Sequence, residues 1–247
     1  MKIFINIFKK IVNKFLYIFK NLKFFDYISF LKNILDLKYF NLSYSQEGED
    51  MVLKEFLANK PNGFFVDVGA HHPKRFSNTY YFYKLGWNGI NIDPLPGTVK
   101  IFNKIRPRDI NLEIAISNSD RILDYYMFDE PALNGFFDDL SNKYIKDGYK
   151  LLDKKNIPVI KLKEVLDEYM SKELIIDFMT IDVEGMELEV LKSNDWEKYS
   201  PEILLIEICG NVNFEEIICN PVYVFLKKQG YFLVACTGRT YFFKKNC

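Results

Sequence analysis

From residue 43 onward, the hydrophobic positions form short continuous runs that alternate with longer amphipathic stretches. The apolar runs predict strands at residues 64–68, 89–92, 110–116, 122–128, 157–160, 174–183 and 203–208. The amphipathic stretches predict helices at residues 45–57, 78–85, 96–105, 161–170, 187–191 and 221–228. Because strands and helices alternate, the pattern predicts an α/β fold with a doubly wound, mostly parallel sheet.

Two stretches depart from this alternation. Residues 231–243 read YFLVACTGRTYFF and alternate on both sides of Thr237 and Gly238, which predicts a hairpin with one antiparallel strand at or near a sheet edge. Residues 129–156 show neither period and are interpreted as an irregular insertion over the strand ends. Long loops often carry specificity, so an acceptor pocket is expected there.

The first 25 residues have a pattern of their own, in which apolar residues recur at spacings of three and four. These residues are Phe4, Phe8, Ile11, Phe15, Ile18, Leu22 and Phe25. They predict one apolar face of a helix whose other positions carry lysines. The lysines interrupt every long apolar run, which argues against a transmembrane span, and no small-residue cleavage site follows. The chain is therefore predicted to divide into an amphipathic helical segment, 1–42, and a domain, 43–247.

Two interpretations of that segment stay open. Residues 1–25 could contact an anionic membrane surface peripherally, with aromatic rings at the headgroup boundary and lysines reaching outward. Alternatively, the apolar face packs on the protein's own domain or on a second subunit of a homo-oligomer.

Charge and cysteine content narrow the class of protein. Basic and acidic residues balance at 33 each, so the chain as a whole shows no nucleic-acid-binding signature. The cysteines form no CxxC pair and have no histidine at metal-ligand spacing, which predicts buried or idle thiols in a reducing cytoplasm. They are Cys209, Cys219, Cys236 and Cys247.

In open α/β sheets, ligands bind beyond the carboxyl ends of the strands. The residues at the predicted ends are Asp67, Gly69 and Ala70 at the first strand, Asp93 at the second, and Asp182 and Glu184 at the strand that contains TIDVEG. The crevice is therefore predicted to be lined by acids.

The turn after the first strand has a single glycine, Gly69, whereas a dinucleotide requires G-x-G-x-x-G so that backbone N–H groups can approach the pyrophosphate. Acids would also repel phosphates. S-adenosylmethionine suits such a crevice better, because it has no phosphate and carries a sulfonium and an ammonium. Asp93 is expected to accept the ribose hydroxyls, Asp67 to lie near the cationic methionine end, and Gly69 to let the chain pass close to the cofactor.

Five stretches, in this order along residues 43–210, carry a family resemblance. They are SQEGED (45–50), FVDVGAHHPKRFSNT (65–79), GWNGINIDPLPG (86–97), RPRDINLEIAIS (106–117) and IDVEGMELEVL (181–191). With them the chain resembles the FkbM family of S-adenosylmethionine-dependent methyltransferases. The resemblance implies a class I methyltransferase-like, Rossmann-like fold and methyl transfer, usually to a hydroxyl of a sugar, glycolipid or secondary metabolite.

The resemblance also implies roles for particular residues. Asp67, Gly69 and Asp93 belong to the cofactor site, and Asp182 and Glu184 match an acidic motif near cofactor and acceptor. The other candidate cofactor-binding residues flank these positions or fold over them: Gln46, Glu49, Ala70, His71, Pro94, Ala115 and Ser117.

Transfer to a hydroxyl requires alignment and benefits from a base. The candidate catalytic residues are Asp182, Glu184 and His72, with the two acids favoured because residues two apart on a strand share a face. Three alternatives stay open. The acids could cap the following helix or hold a metal between them, and His72 could form structural hydrogen bonds.

The expected function is therefore a cytoplasmic O-methyltransferase that acts on a small-molecule or glycan acceptor of surface-polysaccharide or glycolipid assembly. Two other classes of protein remain. One is an NAD-dependent oxidoreductase, against which the missing glycines count. The other is a membrane-associated binding subunit that has the fold but no activity.

Overall fold

The structure is a computed structural model, and it describes residues 29, 41–58, 60–119, 122–136, 138–171, 173–208 and 214–246. The helix predicted within residues 1–25 lies outside the described residues. The fold below is that of the compact unit Ser43–Cys247. In the part of the chain that the structure describes, no helix has the length and apolar character needed to cross a membrane.

The described elements follow one another in a largely alternating order. The strands are β1 Phe64–Val68, β2 Asn88–Ile92, β3 Ile110–Leu112, β4 Ala115–Ile116, β5 Ile122–Phe128, β6 Leu151–Ile160, β7 Phe178–Ile181, β8 Ile203–Glu207, β9 Tyr231–Cys236 and β10 Thr240–Lys245. The helices are α1 Glu49–Phe56, α2 Tyr80–Lys84, α3 Thr98–Ile105, α4 Asp138–Lys146, α5 Leu162–Tyr169, α6 Glu187–Lys192, α7 Phe214–Ile217 and α8 Pro221–Lys228. A 3₁₀ turn spans Pro131–Leu133.

Seven strands form the main sheet, in the order β3-β2-β1-β7-β8-β10-β9. Neighbouring strands are parallel from β3 to β8, and β10 is antiparallel to both β8 and β9. This topology confirms the predicted doubly wound, mostly parallel sheet. The hairpin of β9 and β10 also follows its prediction, since the antiparallel strand β10 lies next to the edge strand β9.

Strand β1 is buried on both faces, and its alternate residues enter two different cores. Phe64, Val66 and Val68 belong to a core that residues of α5, α6 and α8 complete. Phe65 belongs to a second core on the opposite face, with residues of α1 and α2. The continuous apolar run of β1 is thus the pattern expected of a parallel strand covered by helices on both sides.

Local signals set the bounds of the helices. In α8, the side chain of Asn220 accepts a hydrogen bond from the Val222 N–H at 2.9 Å, and Pro221 occupies the first turn. The helix predicted at 45–57 instead begins at Glu49, because Gly48 adopts φ +88° immediately before it. The Ser45 hydroxyl donates to the Asp50 carboxylate at 2.8 Å.

The predicted strand 110–116 is divided between two sheets. Ile110–Leu112 pairs with β2 in the main sheet, whereas Ala115–Ile116 pairs with β6 in a second sheet of order β4-β6-β5. The chain therefore leaves the main sheet at residues 113 and 114. The sequence pattern did not predict this break, because the apolar positions continue across it.

The prediction of an irregular insertion at 129–156 was wrong. This stretch contains the 3₁₀ turn, α4 and the first half of β6. The sequence LLDKKN at 151–156 is exposed and has no alternating pattern, and antiparallel pairing with β5 makes it a strand. A strand that gains its order from a neighbour rather than from burial leaves little signal in the sequence.

Candidate active site

A cavity of about 340 Å³ lies at the carboxyl ends of β1, β2, β7 and β8, with residues 130–136 forming another wall. Eight of the candidate site residues line it: Gln46, Gly69, His71, Asp93, Pro94, Ala115, Asp182 and Glu184. Five others do not: Asp67, Ala70, His72, Ser117 and Glu49.

Gly69 is required by the neighbouring backbone. It has φ +85°, and a β-carbon built on it would lie 1.6 Å from the carbonyl oxygen of Asp182. The Asp182 N–H in turn donates to the Val68 carbonyl at 2.9 Å. The close approach of the β7 loop therefore excludes a side chain at this position, and Gly69 also lines the cavity.

Asp93 joins two loops at the cavity wall. Its Oδ2 accepts from the His71 N–H at 2.8 Å, and its Oδ1 accepts from the Leu95 N–H at 2.9 Å. Burial raises the pKa of this carboxyl. A carboxylate oxygen can accept more than one hydrogen bond, so Asp93 keeps the capacity to accept hydroxyl groups from the cavity.

His71 places a neutral ring in the cavity. Burial, followed by the charge of Arg75, lowers its pKa to about 4, so the imidazole is uncharged at neutral pH. Its buried Nε2 finds no hydrogen-bond partner among the described residues. Because a buried polar atom without a partner is costly, the ring is suited to a ligand that supplies one.

His72 has a structural arrangement instead. Its Nδ1 accepts from the N–H groups of Lys74 at 3.1 Å and Arg75 at 2.9 Å. The ring therefore fixes the turn that follows β1, and it does not line the cavity. The geometry favours the structural interpretation of His72 over the catalytic one.

Asp67 lies in a buried polar network away from the cavity. The Thr79 hydroxyl donates to its carboxylate at 2.7 Å, and Arg106 donates to the same hydroxyl at 2.9 Å. Burial raises the pKa of Asp67 to about 6. Asp67 follows Phe65 by two residues on β1, so it shares the face of the second core. This placement disagrees with a role at the cationic end of the cofactor.

The remaining residues outside the cavity also have structural contacts. Glu49 accepts a hydrogen bond from the Thr240 hydroxyl at 3.2 Å and thereby links α1 to β10. The Ser117 N–H donates to the Ile160 carbonyl at 3.0 Å and extends the pairing of β4 with β6. Ala70 is buried, and its N–H donates to the Ile92 carbonyl at 3.1 Å.

Asp182 and Glu184 line the same wall of the cavity, although not for the reason proposed from the sequence. Strand β7 ends at Ile181, and Glu184 adopts φ +50°, so the two residues do not share an extended strand. The loop itself turns both towards the cavity. Helix α6, which follows, has no side-chain cap, and the carboxylate of its first residue, Glu187, accepts from the Gly185 N–H at 2.9 Å.

The acids of this wall hold their protons unusually well. Burial, the charges of Glu207 and Glu184, and a hydrogen bond with Glu207 raise the pKa of Asp182 well above its usual range. Burial is also the main cause that raises the pKa of Glu184 to about 7, while a hydrogen bond from Tyr144 opposes the rise. Among the described residues, no cluster of metal-ligating side chains has the arrangement needed for an ion.

Glu207 and Arg239 complete the wall and were missed in the sequence analysis. Glu207 Oε1 lies 3.2 Å from Arg239 Nη1, and the Arg239 backbone N–H donates to Glu47 at 2.9 Å. Glu207 is the polar end of an apolar run, so the strand-end argument could have found it. Arg239 lies in the hairpin turn between β9 and β10, where no sequence signal connects it with the cavity.

Backbone strain is concentrated at this cavity. His71, Phe76 and Glu184 are the non-glycine residues with positive φ in the described part of the chain, at +50°, +56° and +50°. All three line the cavity. Such conformations are costly and persist at sites where function requires them, so their position supports this cavity as the active site.

Comparison with known proteins agrees with the geometry. The sequence profile of the methyltransferase FkbM domain matches residues 67–233, which is more than half of the chain. The chain belongs to the FkbM methyltransferase family. This membership confirms the resemblance described above, and together with the sheet topology it establishes a class I methyltransferase fold.

A structural search found a TehB-like SAM-dependent methyltransferase from Corynebacterium glutamicum, with 11% sequence identity and a TM-score of 0.40. The match covers 90% of this chain and 97% of the other. No curated protein sequence matches this chain.

Proposed function

We propose that this member of the FkbM methyltransferase family transfers the methyl group of S-adenosylmethionine to an uncharged hydroxyl of a sugar, glycolipid or polysaccharide precursor. The observation that carries the proposal is the cavity itself. One end offers Asp93 and His71, and the other presents the carboxyl wall of Asp182, Glu184 and Glu207.

The first end fits a nucleoside without phosphates. Asp93 would accept the ribose hydroxyls, and the unpaired Nε2 of His71 would gain a partner from the same ligand. Apolar side chains of Leu95, Ala115 and Ile116 would flank the adenine ring. When bound, S-adenosylmethionine supplies an electrophilic methyl group on a positively charged sulfur. Ionised carboxylates of the neighbouring wall would attract this sulfur electrostatically.

The carboxyl wall can accept a proton from the acceptor. A pKa of about 7 leaves a substantial fraction of Glu184 ionised near neutral pH, which suits a general base. Asp182 keeps its proton more firmly, because it is buried and faces the charge of Glu207, which raises its pKa well above the usual range. We therefore assign proton acceptance to Glu184 and orientation of the acceptor to the protonated Asp182.

The charges around the cavity support an uncharged acceptor. Of the described lining residues, the two cations are Arg75 and Arg239, and both already pair with carboxylates. Arg75 makes two parallel hydrogen bonds to Glu130, each 3.0 Å long. A phosphate or carboxylate on the acceptor would therefore meet acids without a free cation, and a neutral hydroxyl would meet suitable acceptors.

Calorimetric titration of the purified full chain with S-adenosylhomocysteine and with NAD tests the cofactor assignment. We expect binding of S-adenosylhomocysteine alone, weakened at least tenfold by Asp93→Asn. Asp124→Asn is the matched control, because the Asp124 side chain is exposed and does not line the cavity. NAD binding would revive the oxidoreductase alternative, and a folded protein that binds neither ligand would favour a non-catalytic subunit.

The acceptor class requires a second experiment. Transfer of a radiolabelled methyl group would be measured with methyl glucoside, methyl glucosaminide and methyl glucuronide at equal concentration, at low salt. We expect the neutral glycoside to exceed the anionic one. Preferential methylation of the glucuronide, or methylation at nitrogen of the glucosaminide alone, would contradict an uncharged hydroxyl acceptor.

A further inference from the structure

Tyr144 contacts Glu184 from a different part of the fold. Its hydroxyl donates a hydrogen bond to Glu184 Oε2 at 2.9 Å, across 40 positions of sequence. Tyr144 lies on α4, within the stretch between β5 and β6, whereas Glu184 lies in the loop after β7. A long-range hydrogen bond to a carboxylate is among the stronger side-chain contacts, because one partner is charged.

The same stretch touches Glu184 at a second point. A β-carbon built on Gly135 would lie 3.3 Å from the β-carbon of Glu184, so the backbone of residue 135 packs directly against it. Glu184 itself adopts φ +50°, a conformation that a non-glycine residue rarely takes without support. The two contacts from the stretch between β5 and β6 provide that support, one at the β-carbon and the other at the carboxylate.

The position of the donor is also restricted. The Tyr144 ring makes edge contacts with Phe128 and Tyr149, at centroid distances of 5.7 and 6.3 Å. Edge-to-face packing limits the rotation of the ring. The hydroxyl therefore reaches Glu184 from a fixed direction, which is what a positioning residue must provide.

Opposing charges surround Glu184. Glu207 at the end of β8 and Glu187 of α6 disfavour its ionised form, whereas Tyr144 of α4 and Arg239 of the hairpin turn favour it. Asp182 lies in its own loop and interacts electrostatically with it. Loss of the Tyr144 hydroxyl would leave the carboxyl facing mainly acids, with one of its two stabilising partners removed.

We propose that Tyr144 is a positioning residue that holds the Glu184 carboxylate towards the acceptor hydroxyl, so that the stretch between β5 and β6 completes the active site. This inference rests on the proposed function for the identity of the proton donor, namely the acceptor hydroxyl. The contact itself is a property of the protein without ligands, and it can be tested separately.

The test is a titration of Glu184 in the full chain labelled with ¹³C at the glutamate carboxyl, with Glu184→Gln used to assign the signal. We expect Tyr144→Phe to raise the titration midpoint by about one pH unit, since a lost hydrogen bond to the ionised form has an effect of that order. Tyr169→Phe is the control, because it removes a hydroxyl from the exposed end of α5. An unchanged midpoint in a folded Tyr144→Phe protein would overturn the proposal.

A second variant reaches Glu184 without touching the hydroxyl. Gly135→Ala adds a methyl group 3.3 Å from the Glu184 β-carbon and should displace the carboxyl, which would also move the midpoint. If Tyr144→Phe does not fold, the proposal is tested by Gly135→Ala alone. An unchanged midpoint in that variant would show that contacts from the stretch between β5 and β6 do not position the Glu184 carboxyl, and it would overturn the proposal. With an acceptor in hand, Tyr144→Phe should lower kcat and move the acid limb of its pH profile upward, with the affinity for S-adenosylhomocysteine unchanged. Failure of S-adenosylhomocysteine to bind the unmodified protein would count against the proposed function alone.

Discussion

The carbonyl oxygen of Asp182 lies 1.6 Å from the point that a β-carbon on Gly69 would occupy. Replacing Gly69 by alanine must therefore separate the ends of β1 and β7, and it also strains φ at +85°. We expect Gly69→Ala to cost more than about 4 kcal/mol in free energy of unfolding, measured by urea denaturation.

Gly97→Ala is the matched control for this change. Gly97 has a similar φ of +90°, but nothing lies within 4 Å of the added methyl group. The expected cost is about 1–2 kcal/mol, from backbone strain alone. Equal losses of unfolding free energy in the two variants would show that the contact with Asp182 is not the reason why position 69 requires glycine.

Arg106 and Asp109 form an ion pair in which both side chains are fully buried, with 2.7 Å between Nε and Oδ2. Asp109→Asn would leave the guanidinium without its nearest charge, at an expected cost of about 3–5 kcal/mol. Thermal or urea unfolding would measure it. Asp124→Asn breaks the exposed pair with Lys154 and should cost less than about 1 kcal/mol. A small loss of unfolding free energy in both variants would contradict the expectation that burial makes the Arg106–Asp109 pair costly to break.

Asp67 should make stability depend on pH. Its pKa is raised from 3.8 to about 6, so the folded protein keeps this proton to higher pH than the unfolded chain. The stabilisation is therefore fully present below pH 4 and is lost as the pH rises through 6. The loss for one such group is on the order of 3 kcal/mol.

Asp67→Asn tests that dependence. Its amide oxygen can still accept from Thr79, but it does not titrate, so the fall in unfolding free energy between pH 4 and pH 6.5 should be smaller than in the unmodified protein. Urea denaturation at a series of pH values measures both curves. Parallel curves would mean that other buried acids account for the whole effect.

The pair of Arg75 and Glu130 joins the loop after β1 to the wall formed by residues 130–136. Because both side chains are partly exposed, Glu130→Gln should change stability by less than about 1 kcal/mol. We expect release of S-adenosylhomocysteine to become severalfold faster, as measured by stopped-flow, since the wall would open more often. Asp124→Asn again serves as the control, and identical release rates would contradict a role for this pair in retaining the ligand.

Prediction from sequence succeeded where burial determines the pattern. The apolar run of β1 is covered on both faces, and the cavity-lining acids after β2 and β7 follow from the rule that ligands bind at strand ends. The sequence could not show which of the strand-end acids faces the cavity and which faces a buried core. Asp67 has the same character as Asp93 in the sequence, and only the face of β1 on which it lies separates the two.

Residues that reach the site through long-range packing left no pattern to recognise. Arg239 enters from a hairpin turn, and Tyr144 enters from a stretch that was interpreted as irregular. The first half of β6 is exposed and polar, and its pairing with β5 is set by contacts between residues far apart in sequence. Local propensity carries no information about such contacts.

The position of β10 affects the order in which the domain can assemble. This strand follows all the other described strands in the sequence, yet it lies between β8 and β9 in the sheet. During synthesis, β8 would emerge with one edge unpaired, and β9 would lack β10, its only neighbour among the described strands, until residues 240–245 emerge. The nascent domain would therefore expose a sheet edge to other chains until β10 arrives, and its closing step would depend on translation speed and on chaperones that shield that edge.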